Sequence, residues 1–205
     1  MRIAIFGASG SVGRYLVPAA LDRGHEVVAV TRRAARIGDH RQGLRVVEAQ
    51  LDDAAAMDRA LLGVDAVIVS LGDAVVDSGT DAVLAAMQRT GVPRIEVLTG
   101  FGTSAASRRK LPPPMRAVVA AVRAVTFQGF VAKERQDDAV RRSDLLFTIV
   151  QPPTLTDGPR SGSYRSGDYS GKSIFGSISR GDLADFMLDN LDHDRFVNES
   201  TFVQS

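Results

Sequence analysis

Alternation is the feature that most constrains this chain. Short runs rich in Val, Ile and Phe recur between stretches with helical spacing, from residue 2 to residue 204. That order is the mark of a parallel sheet covered by helices on both faces. "RIAIF" (2–6) is almost continuously apolar, as a strand buried on both faces must be. Further strands are expected at 25–30, 44–49, 65–72, 94–100 and 145–150, with a short one near 173–178 and a last one at 200–204. Helices are expected at 11–23, at 52–63, at 80–91 with Thr80 as its cap, and at 180–191. A long helical region follows "LPPPM" (111–115) and ends near Ser143, and residues 151–171, rich in Gly, Pro and Ser, read as a loop. Nothing repeats and no linker divides the chain. The expectation is one doubly wound, Rossmann-like α/β domain of six or seven strands over 1–205. Its cofactor half spans about 1–100 and its substrate side about 101–205.

The first strand runs straight into "GASGSVG" (7–13). At a βα turn, Gly7 allows the tight reversal, Gly10 lets a pyrophosphate approach backbone N–H groups, and Gly13 lets the helix pack closely on the strand. The helix N-terminus then offers free N–H groups and partial positive charge to the phosphates. The spacing is G-x-x-G-x-x-G rather than G-x-G-x-x-G, so its context carries the argument: a strand before it and a helix after it.

In NAD-selective folds an acid near the end of the second strand binds the ribose 2′-hydroxyl. Here "VTRRAARIGDH" (30–40) has no acid before Asp39; Thr31, Arg32, Arg33 and Arg36 stand there instead. A guanidinium fork donates paired, charge-assisted hydrogen bonds to a phosphate, whereas a carboxylate would repel it. NADP(H) is therefore preferred over NAD(H), with Arg32 and Arg36 as the leading ligands.

Composition narrows the chemistry. A net charge of +1 argues against wholesale nucleic-acid binding, and the absence of cysteine excludes disulfides and thiolate nucleophiles. His25, His40 and His193 have no ligand spacing, so no metal is expected. No apolar run approaches the roughly 20 residues of a membrane span, and no signal-like segment precedes the first strand, so a cytoplasmic location is expected. The basic stretch "SRRKLPPPMR" (107–116) lacks aromatic interleaving and reads as solvated surface. Nothing requires more than a monomer, and a dimer stays open.

The pieces "IAIFGASGSVG" (3–13), "GHEVVAVTRRAARI" (24–37), "GVDAVIVSLG" (63–72), "LLFTIVQPPTLTDGP" (145–159) and "SISRGDLADFML" (177–188) resemble the atypical short-chain dehydrogenase/reductase group, which includes NmrA-like proteins and the biliverdin IXβ/flavin reductases. Residues 101–130 are not matched. The resemblance implies an NADPH-dependent reductase acting on a flavin, quinone or tetrapyrrole-like acceptor. Its alternative is a non-catalytic NmrA-like redox sensor that reports cofactor state to a protein partner. By resemblance, Gly7, Ser9, Gly10, Ser11, Val12 and Gly13 hold the pyrophosphate, and Arg32 and Arg36 the 2′-phosphate. Gln50 and Leu51 flank the adenine, while Ser70, Leu71 and Gly72 line the cofactor. Thr99 and Gly100 approach the nicotinamide, and Pro152, Pro153, Thr154 and Leu155 close over it. The chain departs from the family at Ala49-Gln50, where Gly-Asp is usual, and at Gly100, where a hydroxyl is often found.

The wider superfamily protonates its substrates with Tyr-x-x-x-Lys. None of Tyr15, Tyr164 and Tyr169 has a lysine four residues later, and four residues before Lys133 stands Gly129. That disfavours chemistry that must protonate an alkoxide. A conjugated acceptor delocalises the incoming charge and can take its proton from solvent, so orientation is the main requirement. Thr99, Lys133 and Tyr164 are the catalytic candidates, Lys133 as a ribose ligand and Tyr164, with Phe101 and Phe130, as a flat surface.

Overall fold

The computed structural model describes residues 1–168 and 173–205. Its strands are β1 (Arg2–Phe6), β2 (Glu26–Thr31), β3 (Leu44–Glu48), β4 (Ala66–Val69), β5 (Arg94–Leu98), β6 (Leu146–Gln151), β7 (Thr154–Thr156), β8 (Arg165–Gly167), β9 (Ser177–Ser179) and β10 (Glu199–Gln204). Its α-helices are α1 (Gly13–Asp22), α2 (Ala54–Leu61), α3 (Val76–Thr90), α4 (Ala105–Arg109), α5 (Pro113–Val125), α6 (Phe127–Arg142) and α7 (Arg180–His193).

Eight strands form one sheet in the order β3-β2-β1-β4-β5-β6-β10-β8. All neighbours are parallel except the edge strand β8, which runs antiparallel to β10. The pleat sends alternate side chains to opposite faces. Ile3 and Ile5 of β1 join the core beneath α1 and α7, while Ala4 and Phe6 join the core beneath α2, α3 and α6. Two buried faces explain why these strands read as continuous apolar runs. The chain passes from β1 outward to β3, then returns to the other side of β1 at β4. This reversal leaves a crevice beyond the carboxyl ends of β1 and β4, where such folds bind ligands.

The expected doubly wound sheet is present, one strand larger than the upper expectation. Three elements differ. The loop expected over 151–171 contains β7, which pairs with β9, and β8, which extends the main sheet; each is three residues, too short to show periodicity. Part of that expected loop falls on 169–172, outside the described residues. Thr80 does not cap α3. The helix starts at Val76, and the buried Thr80 hydroxyl donates to the Val76 carbonyl at 2.6 Å while accepting from Gln136 Nε2 at 3.1 Å. The long helical region is broken: α5 and α6 meet at Thr126 and are bent by 113°. Phe130 of α6 is buried with Phe101, Leu111, Val119 and Phe202, so α6 sets its first turn into this cluster, and the junction residue Thr126 is neither the Pro nor the Gly that marks a break in sequence.

Candidate cofactor site

Gly7 ends β1 at φ +81°, and a Cβ placed on it would meet the Ser70 carbonyl oxygen at 2.2 Å. The turn can therefore press against the end of β4 only with no side chain there. A Cβ on Gly13 would meet the Gly7 carbonyl oxygen at 2.2 Å, so the first turn of α1 lies directly on the loop. No side chain caps α1 and its first turn holds no acid. The N-terminal amide groups and their dipole thus face the crevice without an internal carboxylate, an arrangement suited to an anion.

The crevice is a cleft of about 420 Å³, within the usual range for small-molecule sites of roughly 300–1,000 Å³. It runs from Arg32, Arg33 and Arg36 past Gln50 and Leu51, over Gly7, Ser9 and Gly10, to Ser70, Leu71 and Gly72. Ten of the twenty expected cofactor ligands line it. No carboxylate does, among the described residues. Phe6, Val30, Thr31, Ala49 and Val75 line it as well. Phe6, Val30 and Ala49 are buried apolar residues whose contribution reads in sequence only as core.

The arginine end is held in shape from below. Thr31 Oγ1 lies 2.9 Å from Ser9 Oγ and accepts from the Arg33 N–H at 3.3 Å. Glu48 Oε2 accepts from the Ala34 N–H at 2.8 Å, fixing the single 3-10 turn Ala34–Arg36. Arg32, Arg33 and Arg36 are exposed, and among the described residues none has an ion-pair partner. Elsewhere Arg2, Arg14, Arg41, Arg89 and Arg108 are each paired with a carboxylate.

The remaining expected residues lie beside the cleft or away from it. Ser11, Val12 and Gly13 lead into α1, and the Val12 side chain is buried in the core. Thr99 is buried, its hydroxyl donates to the Val150 carbonyl at 3.3 Å, which ties it to β6, and it does not line the cleft. The Pro152 carbonyl accepts from the Phe101 N–H at 2.9 Å, which joins the ends of β5 and β6. Pro153 is half-buried, Thr154 and Leu155 belong to β7, and none of the three lines the cleft. Lys133 projects from α6 toward Gly100, where a Cβ would stand 3.9 Å from its Nζ. Tyr164 packs edge-on against Phe186 of α7 with ring centres 5.9 Å apart, outside the cleft. Burial, with Asp189 and Asp185 adding to it, raises its hydroxyl pKa further, which makes it a poorer proton donor. Phe101 and Phe130 are buried packing residues rather than an open platform.

A glycine turn, an acid-free helix start and an arginine rim at the switch point of a parallel sheet define a dinucleotide-binding α/β protein. The comparisons agree: residues 7–194 match the NAD(P)H-binding family model, and the chain belongs to that family. It is 28% identical over its whole length to the uncharacterized protein YwnB of Bacillus subtilis, covering 99% of that protein. It is 30% identical over 155 residues to the (4-alkanoyl-5-oxo-2,5-dihydrofuran-3-yl)methyl phosphate reductase of Streptomyces griseus, covering 75% of this chain and 48% of the reductase. The mycobacterial relatives are much longer, and the 107-residue match spans only 12% of their length. Among solved structures, the anaerobillin reductase ChuY of Escherichia coli O157:H7 superposes with a TM-score of 0.83 at 21% identity, over 100% of this chain and 97% of that one. A short-chain dehydrogenase/reductase of Veillonella parvula in complex with NADP gives 0.78 at 18% identity, over 100% and 94%. These two likenesses are of fold.

Proposed function

We propose that this chain is an NADPH-dependent reductase acting on a flat conjugated acceptor, a flavin, a quinone or a tetrapyrrole. The observation that carries the reading is the cleft itself: a glycine turn that leaves room for phosphates, with three guanidinium groups that have no ion-pair partner, and no carboxylate along its wall, among the described residues. A bound NADPH would supply a hydride and become NADP⁺, with the acceptor's proton coming from solvent. Gly7, Ser9 and Gly10, with the first turn of α1, hold the pyrophosphate through backbone N–H groups. Arg32 and Arg36 donate to the 2′-phosphate, and Gln50 and Leu51 bracket the adenine. Ser70, Leu71 and Gly72 carry the groove from the turn toward β5. The chain's contribution to rate is orientation, because Gly129 stands where the superfamily has its phenol and no acid lines the cleft among the described residues. The name of one sequence relative, the (4-alkanoyl-5-oxo-2,5-dihydrofuran-3-yl)methyl phosphate reductase, supports reduction as the class of reaction, and the anaerobillin reductase shares the fold.

A second reading, a redox sensor acting through a protein partner, is favoured by one observation. Helix α5 buries only Val119 among the described residues, and Val125 at its end is 86% exposed and Phe127 at the start of α6 56%, an apolar corner suited to a partner. Steady-state NADPH oxidation with FMN, quinones and biliverdin separates the two. Turnover with one acceptor is expected; tight NADPH binding without turnover on any of them overturns the reductase reading in favour of the sensor.

A further inference from the structure

Lys133 has a partner that its sequence neighbourhood does not announce. Its Nζ lies 3.0 Å from Oδ1 of Asp73, the residue directly after the cleft-lining Ser70, Leu71 and Gly72. One helical turn before Lys133, a Cβ on Gly129 would stand 2.8 Å from Asp73 Oδ2. The carboxylate thus fills the space into which a side chain at 129 would project. With Lys133 also bordering Gly100 at the end of β5, carboxylate and ammonium stand together between the ends of β4 and β5. Neither residue belongs to the lining of the cleft, which includes Gly72 and Val75 on either side of Asp73 in the chain, so the pair stands just outside its rim.

A tie between loop and helix is a weak explanation for this pair. Asp73 is 58% exposed, and ion pairs at such sites contribute little to stability. The same two segments are already joined by Arg135 and Asp77, at 3.4 Å. A half-exposed carboxylate beside an ammonium is, however, well matched to a vicinal diol: the carboxylate accepts from hydroxyls and the ammonium donates to their oxygens. A dinucleotide laid along the cleft with its 2′-phosphate at the arginines brings the second ribose, beyond the pyrophosphate, to this end.

We propose that Asp73 supplies the acceptor for the nicotinamide-side ribose diol beside Lys133, for which the resemblance already implies a ribose role, and that residue 129 is glycine because the Asp73 carboxylate takes the room a side chain would need. This deepens the reading of the cleft as a dinucleotide site and rests on it. A chain built this way holds the ribose with a carboxylate where other superfamily members set a phenol, so it gains a cofactor contact at the position where it gives up a proton donor.

The test uses the full chain and two ligands, NADPH and 2′,5′-ADP, the second of which lacks the whole nicotinamide mononucleotide half, its phosphate included. Binding is read by calorimetry. In Asp73→Asn, NADPH is expected to weaken about tenfold (about 1.4 kcal/mol) while 2′,5′-ADP stays unchanged. Gly129→Ala, which favours the helix and pushes the carboxylate aside, is expected to show the same split. Unchanged NADPH affinity in both variants, or equal loss for both ligands, overturns the subsite. Wild-type protein that binds 2′,5′-ADP but gains nothing for NADPH also overturns it while leaving the cleft reading intact. Binding of neither ligand by wild type removes the cleft reading, and the subsite with it.

Discussion

Ser9 Oγ and Thr31 Oγ1 lie 2.9 Å apart, which couples the glycine turn to the arginine loop across the crevice. One hydroxyl pair thereby sets the distance between the two parts of the cleft that meet phosphates. Thr31 Oγ1 also accepts from the Arg33 N–H, so the contact orients the loop as well as anchoring it. Thr31→Val keeps the shape and deletes both contacts. It is expected to cost about 0.5–1.5 kcal/mol in urea unfolding. It should also lower the preference for NADPH over NADH, read as a ratio of dissociation constants; an unchanged ratio would mean that the loop needs no anchor.

The three guanidinium groups on the rim make a sharper prediction about the cofactor. Arg32 is exposed and unpaired among the described residues, so its removal strands no buried carboxylate and should leave the melting temperature nearly unchanged. Arg32→Ala is expected to weaken NADPH on the order of 10- to 100-fold, the value of a charge-assisted hydrogen bond, and to leave NADH within about twofold. Equal losses for both cofactors would remove the 2′-phosphate assignment.

Gly13 tests the packing of α1 on the turn. Its Cβ would fall 2.2 Å from the Gly7 carbonyl oxygen and 2.6 Å from that of Ala8, both backbone atoms with little room to move. Gly13→Ala must lift the start of α1 off the loop. The expected outcome is destabilisation of about 1–3 kcal/mol, the usual range for overpacking, together with loss of NADPH binding. Gly38→Ala is the control, because no atom lies within 4 Å of its Cβ position and its backbone is not left-handed. It should match wild type in both measurements.

The parts of this molecule that were legible in its sequence are the local ones. Gly7, Arg32, Gln50 and Ser70 each follow a strand whose apolar run marks its own end, so their place on the rim follows from counting along single βα units. What was illegible depends on contacts between distant segments. Lys133 meets Asp73 across 60 residues of chain, and nothing near Asp73 marks it as anything but a turn residue. Tyr164 looked like a candidate platform because it stands in a Gly-rich loop near the end of β6, yet that loop folds back onto α7 and spends the ring on Phe186. Asp182 is what pins the loop there, accepting from the backbone N–H groups of Ser161 and Gly162 and from Ser179 Oγ. Thr80 had the right type for a cap, but the apolar Val76 one turn earlier was buried and extended the helix past it.

A last expectation concerns Glu96, which lies wholly inside the protein on β5. Its Oε2 accepts from Asn190 Nδ2 at 2.9 Å, with Thr148 and Arg94 alongside, while its Oε1 has no hydrogen-bond partner among the described residues. Burial raises its pKa from the ordinary 4.5 to about 8, and the Asn190 contact and the nearby Arg94 charge only partly oppose this. Between those two values the folded protein holds a proton that the unfolded chain releases, so the unfolded state binds fewer protons. Stability therefore falls as pH rises from 4.5 toward 8 and levels off above it, by up to about 1.4 kcal/mol per pH unit. Glu96→Gln keeps the oxygen that Asn190 donates to and removes the ionisation. Urea midpoints measured at pH 5.5, 7 and 8.5 should decline for the wild type and stay level for Glu96→Gln, with the gap between them widest at the highest pH. A parallel decline in both proteins would place the pH dependence on some other group and mean that Glu96 is already ionised in the fold.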